Sequence, residues 1–140
     1  DTDGRSLAKM VENFVSQNLS ARFYKSLGQL LYLSCMAHVD GVIGNSSSGL
    51  LETPSFRKGT VNIGDRQKGR LQARSIINCE PECKSIVAAL ERLYSDDFQA
   101  ELPMTINPYG EGGASDLIVS KIKSFPLLGI IKKQFYDIAN

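Results

Sequence analysis

The chain has 140 residues, of which 42% are hydrophobic and 22% are charged, and its formal net charge is +1. This ordinary composition predicts one soluble globular domain. The near-neutral charge, without a basic helix or an aromatic-interleaved patch, argues against nucleic acid as a partner. No apolar run is long enough to span a membrane.

The three cysteines and the single histidine do not form a metal-binding pattern. Cys79-x-x-x-Cys83 lacks a second pair of ligands, Cys35 leaves an odd number, and His38 lies far from the pair in sequence. We therefore expect no metal, and thiols that are buried or reduced in a cytoplasmic protein. No signal peptide is recognisable, and the chain begins at Asp1 without a methionine, so we expect an excised piece of a longer protein.

The first forty residues predict two helices and one strand. Apolar residues recur at helical spacing from Leu7 onward, which predicts an amphipathic helix ending near Asn18. The weak alternation over Arg22–Leu27 predicts a strand. Gly28–Ala37 is apolar over much of its surface, which predicts a helix buried on more than one side. We interpret His38, which follows it, as a structural, hydrogen-bonded histidine rather than a catalytic one.

The next stretch has the pattern of an anion-binding site. Val39–Ile43 reads as a buried strand, Gly44–Gly49 is a small polar loop, and Leu50–Glu52 begins a helix. The first amides of a helix have no partner inside it and its dipole favours negative charge, while serine hydroxyls add further donors. Glu52, one turn into the helix, suits a ribose diol.

A second strand and loop strengthen this interpretation. Gly59–Ile63 reads as a strand, and Gly64–Arg70 follows it as a basic loop. Ligands of open α/β sheets bind beyond the carboxyl ends of the strands, so both loops would face one diphosphate-ribose site. Simpler readings remain open: Ser and Asn before a helix usually cap it, Glu52 could be a solvated helix residue, and the basic side chains could form an exposed face without a ligand, namely Arg66, Lys68, Arg70 and Arg74.

The remaining residues alternate between strand and helix patterns. Ser75–Cys79 predicts a strand, and Pro81 predicts the first residue of a helix that ends near Tyr94. Residues 95–104 are ambiguous, Asn107–Gly113 cannot be regular structure, and Ala114–Phe125 predicts a helix. The apolar tail beyond it, from Leu127 through Phe135 and Tyr136, predicts a partner surface. Alternating strands and helices predict an α/β fold with a parallel sheet and helices on both faces.

Three segments resemble a known family. GNSSSGLLETPSF, TVNIGDRQKGR and NPYGEGGAS, in this order, are similar to the C-terminal half of a hydrolysing UDP-N-acetylglucosamine 2-epimerase of the bacterial sialic and legionaminic acid precursor type. The resemblance implies a two-domain glycosyltransferase-B architecture with Rossmann-like domains. Residues 1–140 would then be part of the C-terminal nucleotide-binding domain, and residues 114–140 would pack toward an N-terminal domain outside this sequence.

The same resemblance implies roles for individual residues. Ser46 and Ser47 would hold the diphosphate of UDP, Glu52 the ribose hydroxyls, Arg66 the phosphate or the nucleotide, and the backbone near Leu27 the uracil. Further candidates for UDP binding lie in the same two loops: Asn45, Ser48, Gly49, Gln67 and Arg70. The segment Tyr109–Gly113 is a flexible loop or a hinge between the domains.

The implied reaction inverts C2 of the sugar with loss of UDP. Elimination would give a glycal, and water would add to release N-acetylmannosamine or a related 2-epimer. The family's catalytic carboxylates belong to the N-terminal domain, so we expect no catalytic residue in this chain and no activity of the chain alone. No cofactor is implied.

Two other functions remain open at this point. A glycosyltransferase of the same architecture would use the same donor site, and a non-catalytic module would bind the nucleotide-sugar without turnover. The resemblance also leaves open the sugar, N-acetylglucosamine or a diacetylated bacillosamine-type relative, and the base, UDP or GDP. We expect a homo-oligomer, with no nucleic acid and no membrane as partners.

Overall fold

The computed structural model describes residues 4–132 as a small α/β unit. The α-helices and strands, in chain order, are α1 Gly4–Gln17, α2 Gly28–His38, β1 Gly41–Gly44, α3 Ser48–Leu51, β2 Gly59–Ile63, β3 Ile76–Cys79, α4 Cys83–Leu93, α5 Asp96–Glu101 and α6 Ala114–Ser124. Two 3-10 helices, Thr53–Phe56 and Leu102–Met104, continue α3 and α5.

The three strands form one parallel sheet in the order β1-β2-β3. Successive side chains of a strand point to opposite faces of a sheet, so Thr60 and Ile76 lie on one face while Val61 and Ile77 lie on the other. Each connection runs from the carboxyl end of one strand back to the amino end of the next, so the carboxyl ends of all three strands lie at the same edge of the sheet. The predicted Rossmann-like α/β fold with a parallel sheet is confirmed.

One face of the sheet carries the larger apolar core. Val61 and Ile77 pack there against α4 and α5, whose buried side chains include Leu93 and Phe98. Small residues of the sheet permit this contact, because a Cβ added at Gly59 would lie 2.3 Å from Leu93 Cδ1. Glycine at this position therefore lets α4 approach the sheet closely.

The opposite face is covered by α3. Thr60 Oγ1 donates a hydrogen bond of 2.9 Å to the carbonyl of Gly49, and a Cβ at Gly49 would lie 2.7 Å from Thr60 Cγ2. Leu50 is fully buried beside Ile76 and Ala73. The two cores together put helices on both faces, as predicted, and they fix the loop before α3 at the carboxyl end of β1.

Two predictions about the first forty residues are wrong. Residues 22–27 form no strand, and all side chains from Arg22 to Ser26 are exposed, rather than alternating between buried and exposed. A strand needs a hydrogen-bonded neighbour, and within residues 4–132 the sheet contains none for this segment. Helix α2 forms as predicted but buries only Met36, while Leu30 and Leu31 remain exposed.

Two further details differ from the prediction. Helix α4 begins at Cys83 with Glu82 as its N-cap, so Pro81 lies before the helix rather than at its first position. The Glu80 amide donates to Ser85 Oγ at 3.0 Å, which fixes this entry. His38 is exposed, and the described residues give its side chain no hydrogen bond, so it is not the hydrogen-bonded structural histidine we expected.

Two helices present apolar side chains that the described residues leave uncovered. On α6, which forms within one residue of its predicted end, Leu117 and Ile122 are exposed. Helix α1, also as predicted, exposes Leu7, Met10 and Phe14. In the tail, residues 127–131 are exposed as well, whereas Phe135 and Tyr136 lie outside the described residues. Among residues 4–132 no helix is long and apolar enough to cross a membrane.

Candidate functional site

Two loops at the carboxyl ends of β1 and β2 lie against each other. Gln67 Nε2 donates a hydrogen bond of 2.7 Å to the carbonyl of Asn45, and Arg66 Nη1 lies 3.5 Å from Asn45 Oδ1. Gln67 is 3% exposed, whereas Arg66 and Asn45 are exposed. The sequence predicted that both loops would meet at this edge of the sheet, and these contacts bring them together.

The loop after β1 is closed by hydrogen bonds of its own serines. Ser46 Oγ accepts from the Ser48 amide at 3.3 Å, and the Ser46 carbonyl accepts from the Gly49 amide at 3.2 Å. Ser46 therefore caps the turn, the simpler role that the sequence left open. Ser47 is the N-cap residue of α3, but its side chain makes no capping bond. Its hydroxyl is thus a donor that the turn does not use.

Helix α3 is shorter than a dipole-based anion site requires. It spans four residues and continues directly into a 3-10 helix, so its macrodipole is small. The Gly49 and Leu50 amides bond to the carbonyls of Ser46 and Ser47. The amides of Ser46 and Ser47 have no partner inside the described loop. The guanidinium of Arg66, which contacts Asn45, adds a positive charge beside this turn.

Glu52 lies at the end of a chain of three side chains. Ser48 Oγ donates to Glu52 Oε2 at 2.5 Å and is 2.8 Å from Tyr32 Oη. Glu52 itself is exposed, so its second carboxylate oxygen is open to a further donor. This hydrogen bond holds the Glu52 carboxylate beside Ser48, at the end of the Ser46–Ser48 turn.

The other candidate residues have different surroundings in the structure. Gly49 is buried, and its Cα faces Thr60, so packing alone accounts for this glycine. Arg70 is exposed at the far end of the basic loop, and its amide donates to the Gln67 carbonyl. Leu27, half-buried, is the N-cap of α2 rather than the end of a strand. It lies five residues before Tyr32, or about 8 Å along a helix from the contact with Ser48.

Two contributors to this site were missed by sequence reasoning. Tyr32 was treated as part of an apolar helix, although a tyrosine hydroxyl on such a helix usually finds a polar partner. Asn107 was assigned to an irregular loop. Its Nδ2 donates to the Leu51 carbonyl at 2.8 Å and to Ser55 Oγ at 2.7 Å, and it is only 9% exposed. The loop from Asn107 to Gly113 is therefore anchored at its start to the end of α3.

No residue set of a metal centre accompanies the site. Within residues 4–132, no group of three or more His, Cys, Asp and Glu side chains could hold a metal ion. The three cysteines are free thiols, with Cys35 and Cys83 exposed rather than buried. Partial burial raises the pKa of the Cys79 thiol above its ordinary value, and the nearby Glu80 carboxylate raises it further.

Comparison with known proteins identifies relatives over nearly the whole chain. The chain is 34% identical to the polysialic acid biosynthesis protein P7 of Escherichia coli over 146 residues, which cover 99% of this chain and 35% of that protein. It is 36% identical to the GDP/UDP-N,N'-diacetylbacillosamine 2-epimerase (hydrolyzing) of Campylobacter jejuni over 140 residues, 99% of this chain and 36% of the relative. A UDP-N,N'-diacetylbacillosamine 2-epimerase (hydrolyzing) of Legionella pneumophila is 28% identical over 127 residues, 91% of this chain and 32% of the relative.

The chain spans about a third of the length of these curated relatives. A family model described as UDP-N-acetylglucosamine 2-epimerase matches residues 1–123. This match includes both strand-end loops and the sheet that positions them. The chain therefore belongs to the UDP-N-acetylglucosamine 2-epimerase family.

Proposed function

We propose that the protein carrying this chain is a hydrolysing 2-epimerase acting on a UDP-linked N-acetylated sugar. It releases UDP and N-acetylmannosamine or a related 2-epimer for the synthesis of cell-surface polysaccharide. The family match supports this reaction. So do its relatives, one of which is a polysialic acid biosynthesis protein and two of which are hydrolysing diacetylbacillosamine epimerases. The exposed thiols of Cys35 and Cys83 fit a reducing compartment such as the cytoplasm.

In this proposal the described unit binds the nucleotide. The diphosphate lies on the amides and hydroxyls of Ser46 and Ser47 and accepts hydrogen bonds from Arg66. The observation that carries the assignment is the pair of contacts from Arg66 and Gln67 to Asn45, which bring the basic loop to the serine turn. Arg66 Nη1 makes only a long contact of 3.5 Å there, so the guanidinium keeps donors for an anion.

Two other contacts of UDP follow from the positions of neighbouring elements. Glu52, oriented by Ser48, accepts from the ribose hydroxyls. The uracil lies toward the backbone at Leu27, along α2 from the Tyr32 contact with Ser48. Asn45 and Gln67 hold the two loops together, and Arg70 adds positive charge at the outer end of the basic loop.

Departure of UDP requires stabilisation of the charge that develops on the diphosphate. In this proposal Arg66 and the Ser46–Ser47 donors supply it, because they hydrogen-bond to the departing diphosphate. Removing the C2 proton requires a base that this site does not provide. We propose that the N-terminal domain of a glycosyltransferase-B architecture supplies it. That domain would also cover the apolar faces of α1 and α6, where Met10 and Leu117 are among the exposed side chains.

The test combines an activity assay with a binding measurement. The intact protein, given UDP-N-acetylglucosamine or the diacetylated bacillosamine analogue and no acceptor, should release UDP and the free 2-epimer; a glycosyltransferase would need an acceptor. Arg66→Ala should weaken UDP binding about tenfold or more, because a hydrogen bond to a charged group contributes about 1.5–3 kcal/mol. Arg74→Ala, an exposed arginine beyond the loop, is the matched control. Unchanged UDP affinity in Arg66→Ala by calorimetry would contradict the assignment.

A further inference from the structure

Tyr32 belongs to a helix that precedes the serine turn in the chain but contacts this turn through its side chain. Helix α2 is mostly apolar, and Tyr32 lies half-buried on it. Its hydroxyl is 2.8 Å from Ser48 Oγ, on the first residue of α3. The two residues are 16 positions apart, so the contact depends on the packing of α2 against the turn.

The direction of each hydrogen bond in the chain Tyr32–Ser48–Glu52 follows from the number of protons available. Ser48 Oγ donates to Glu52 Oε2 at 2.5 Å, because an ionised carboxylate can only accept. A serine hydroxyl has a single proton, so Ser48 has none left for Tyr32. Tyr32 Oη is therefore the donor to Ser48 Oγ, and both hydrogen bonds run toward the carboxylate.

The backbone at Ser48 is fixed, whereas its hydroxyl and the Glu52 side chain can rotate. The Glu52 amide donates to the Ser48 carbonyl at 2.9 Å, which places the two side chains one helical turn apart on the same face. A hydroxyl proton rotates to suit its partners. With the Tyr32 proton directed at the Ser48 oxygen, the Ser48 proton points away from Tyr32 and toward Glu52.

This chain leaves most of the Glu52 carboxylate available to a ligand. Glu52 is exposed, and Ser48 is the one side chain among residues 4–132 that donates to it. A carboxylate has about four acceptor sites on its two oxygens, so each oxygen can still accept a proton. Two adjacent hydroxyl groups, as in a ribose diol, can each donate to one of these oxygens. A carboxylate already held in one orientation binds them at a lower entropic cost.

We propose that Tyr32 is a positioning residue for recognition of the ribose, an inference that rests on the proposed nucleotide site. By donating to Ser48, Tyr32 holds the Glu52 carboxylate in the orientation that accepts both ribose hydroxyls. A site built to hydrogen-bond a hydroxyl discriminates against an analogue that lacks it. Tyr32 thereby raises the preference for UDP over 2′,3′-dideoxy-UDP, although it acts on Glu52 through Ser48.

The test compares UDP with 2′,3′-dideoxy-UDP by calorimetry on the intact protein. Tyr32→Phe keeps the ring and removes the donor. It should weaken UDP binding about two- to tenfold, the contribution of one hydrogen bond, and leave binding of the dideoxy analogue unchanged, which also shows that the variant is folded. Tyr94→Phe, at an exposed tyrosine that ends α4, is the matched control and should not alter the preference for UDP.

A double-mutant cycle tests whether Tyr32 acts through Ser48. Ser48→Ala already breaks the chain, so adding Tyr32→Phe to it should cause no further loss of preference for UDP.

Three results would overturn the inference alone, with UDP still bound by the unchanged protein: an unaltered preference in Tyr32→Phe, an equal loss of both ligands, or a further loss in the double variant. If the unchanged protein does not bind UDP, the proposed function fails and this inference fails with it.

Discussion

Replacing Gln67 by leucine tests whether the contact between the two strand-end loops prepares the nucleotide site. The substitution removes the 2.7 Å hydrogen bond to the Asn45 carbonyl while keeping a side chain of similar volume at a position that is 3% exposed. It also removes Gln67 Oε1, a buried acceptor that lacks a partner among the described residues. The loss and the gain oppose each other, so we expect the free energy of unfolding to change by less than about 1.5 kcal/mol.

The effect on UDP binding has no such opposing gain. Without the Gln67 contact, the Arg66 loop must be ordered at the moment of binding. The cost is then about 0.5–1.5 kcal/mol, the contribution of one neutral hydrogen bond, which corresponds to a two- to tenfold loss of UDP affinity. Calorimetry with UDP measures the affinity, and denaturant unfolding of the same variant measures stability.

Gln99→Leu provides a matched control at the other end of the sheet. Gln99 Nε2 also donates to a backbone carbonyl, that of Leu93, at 2.5 Å. It lies beside Asp40 and Lys58, which precede β1 and β2. UDP affinity should be unaffected there. The reasoning is refuted if Gln67→Leu binds UDP as tightly as the unchanged protein, or if Gln99→Leu weakens binding equally.

Three further substitutions or conditions test the fold around the site. Gly59→Ala places a Cβ 2.3 Å from Leu93 Cδ1 and should destabilise the protein by about 1–3 kcal/mol, measured by denaturant unfolding; an unchanged midpoint would show that α4 does not pack as described. Asn107→Ala removes two hydrogen bonds of a buried amide and should lower the free energy of unfolding by about 1–3 kcal/mol. It should also raise the rate of amide hydrogen exchange in residues 107–113, and an unaltered rate would contradict the anchoring of this loop. The raised pKa of Cys79 means that its contribution to stability is fully present below the unfolded pKa and is lost as pH rises through the folded pKa. Alkylation of Cys79, followed by peptide mass spectrometry, should reach half its maximal rate at a higher pH than alkylation of a cysteine in an unfolded peptide, and a midpoint at or below that of the peptide would contradict the shift.

The sheet and its connections could be predicted because their signals are local. Gly59–Ile63 and Ile76–Cys79 are short runs rich in β-branched residues between turn residues, and these two strands lie within a residue of their predicted bounds. The first strand, predicted over Val39–Ile43, forms over Gly41–Gly44. The apolar residues of α4 repeat at helical spacing, and Ala89 and Leu93 among them are buried. In these segments, periodicity and burial agree because both strands and helix pack within the described residues.

The failures share a physical cause. Residues 22–27 have strand-like alternation but no neighbouring strand, and pairing is a property of two segments rather than one. Helix α2 is apolar but only partly buried, since Leu30 and Leu31 stay largely exposed within residues 4–132. Propensity and hydrophobicity state what a segment could bury, whereas the available partners decide what it does bury.

The site was partly predictable for the same reason. The approach of the loops after β1 and β2 follows from parallel strands, which end at one edge. The hydrogen bonds of Gln67 to Asn45 and of Tyr32 to Ser48 join residues 22 and 16 positions apart. No spacing rule specifies such pairs, so only the packed structure could assign them.

The most direct measurement for the central assignment is a crystal structure of the intact protein with UDP. We predict that the diphosphate contacts Ser46, Ser47 and the guanidinium of Arg66, with the ribose hydroxyls on Glu52. A nucleotide bound away from the ends of β1 and β2, or an Arg66 side chain turned away from the Ser46 loop, would contradict the account.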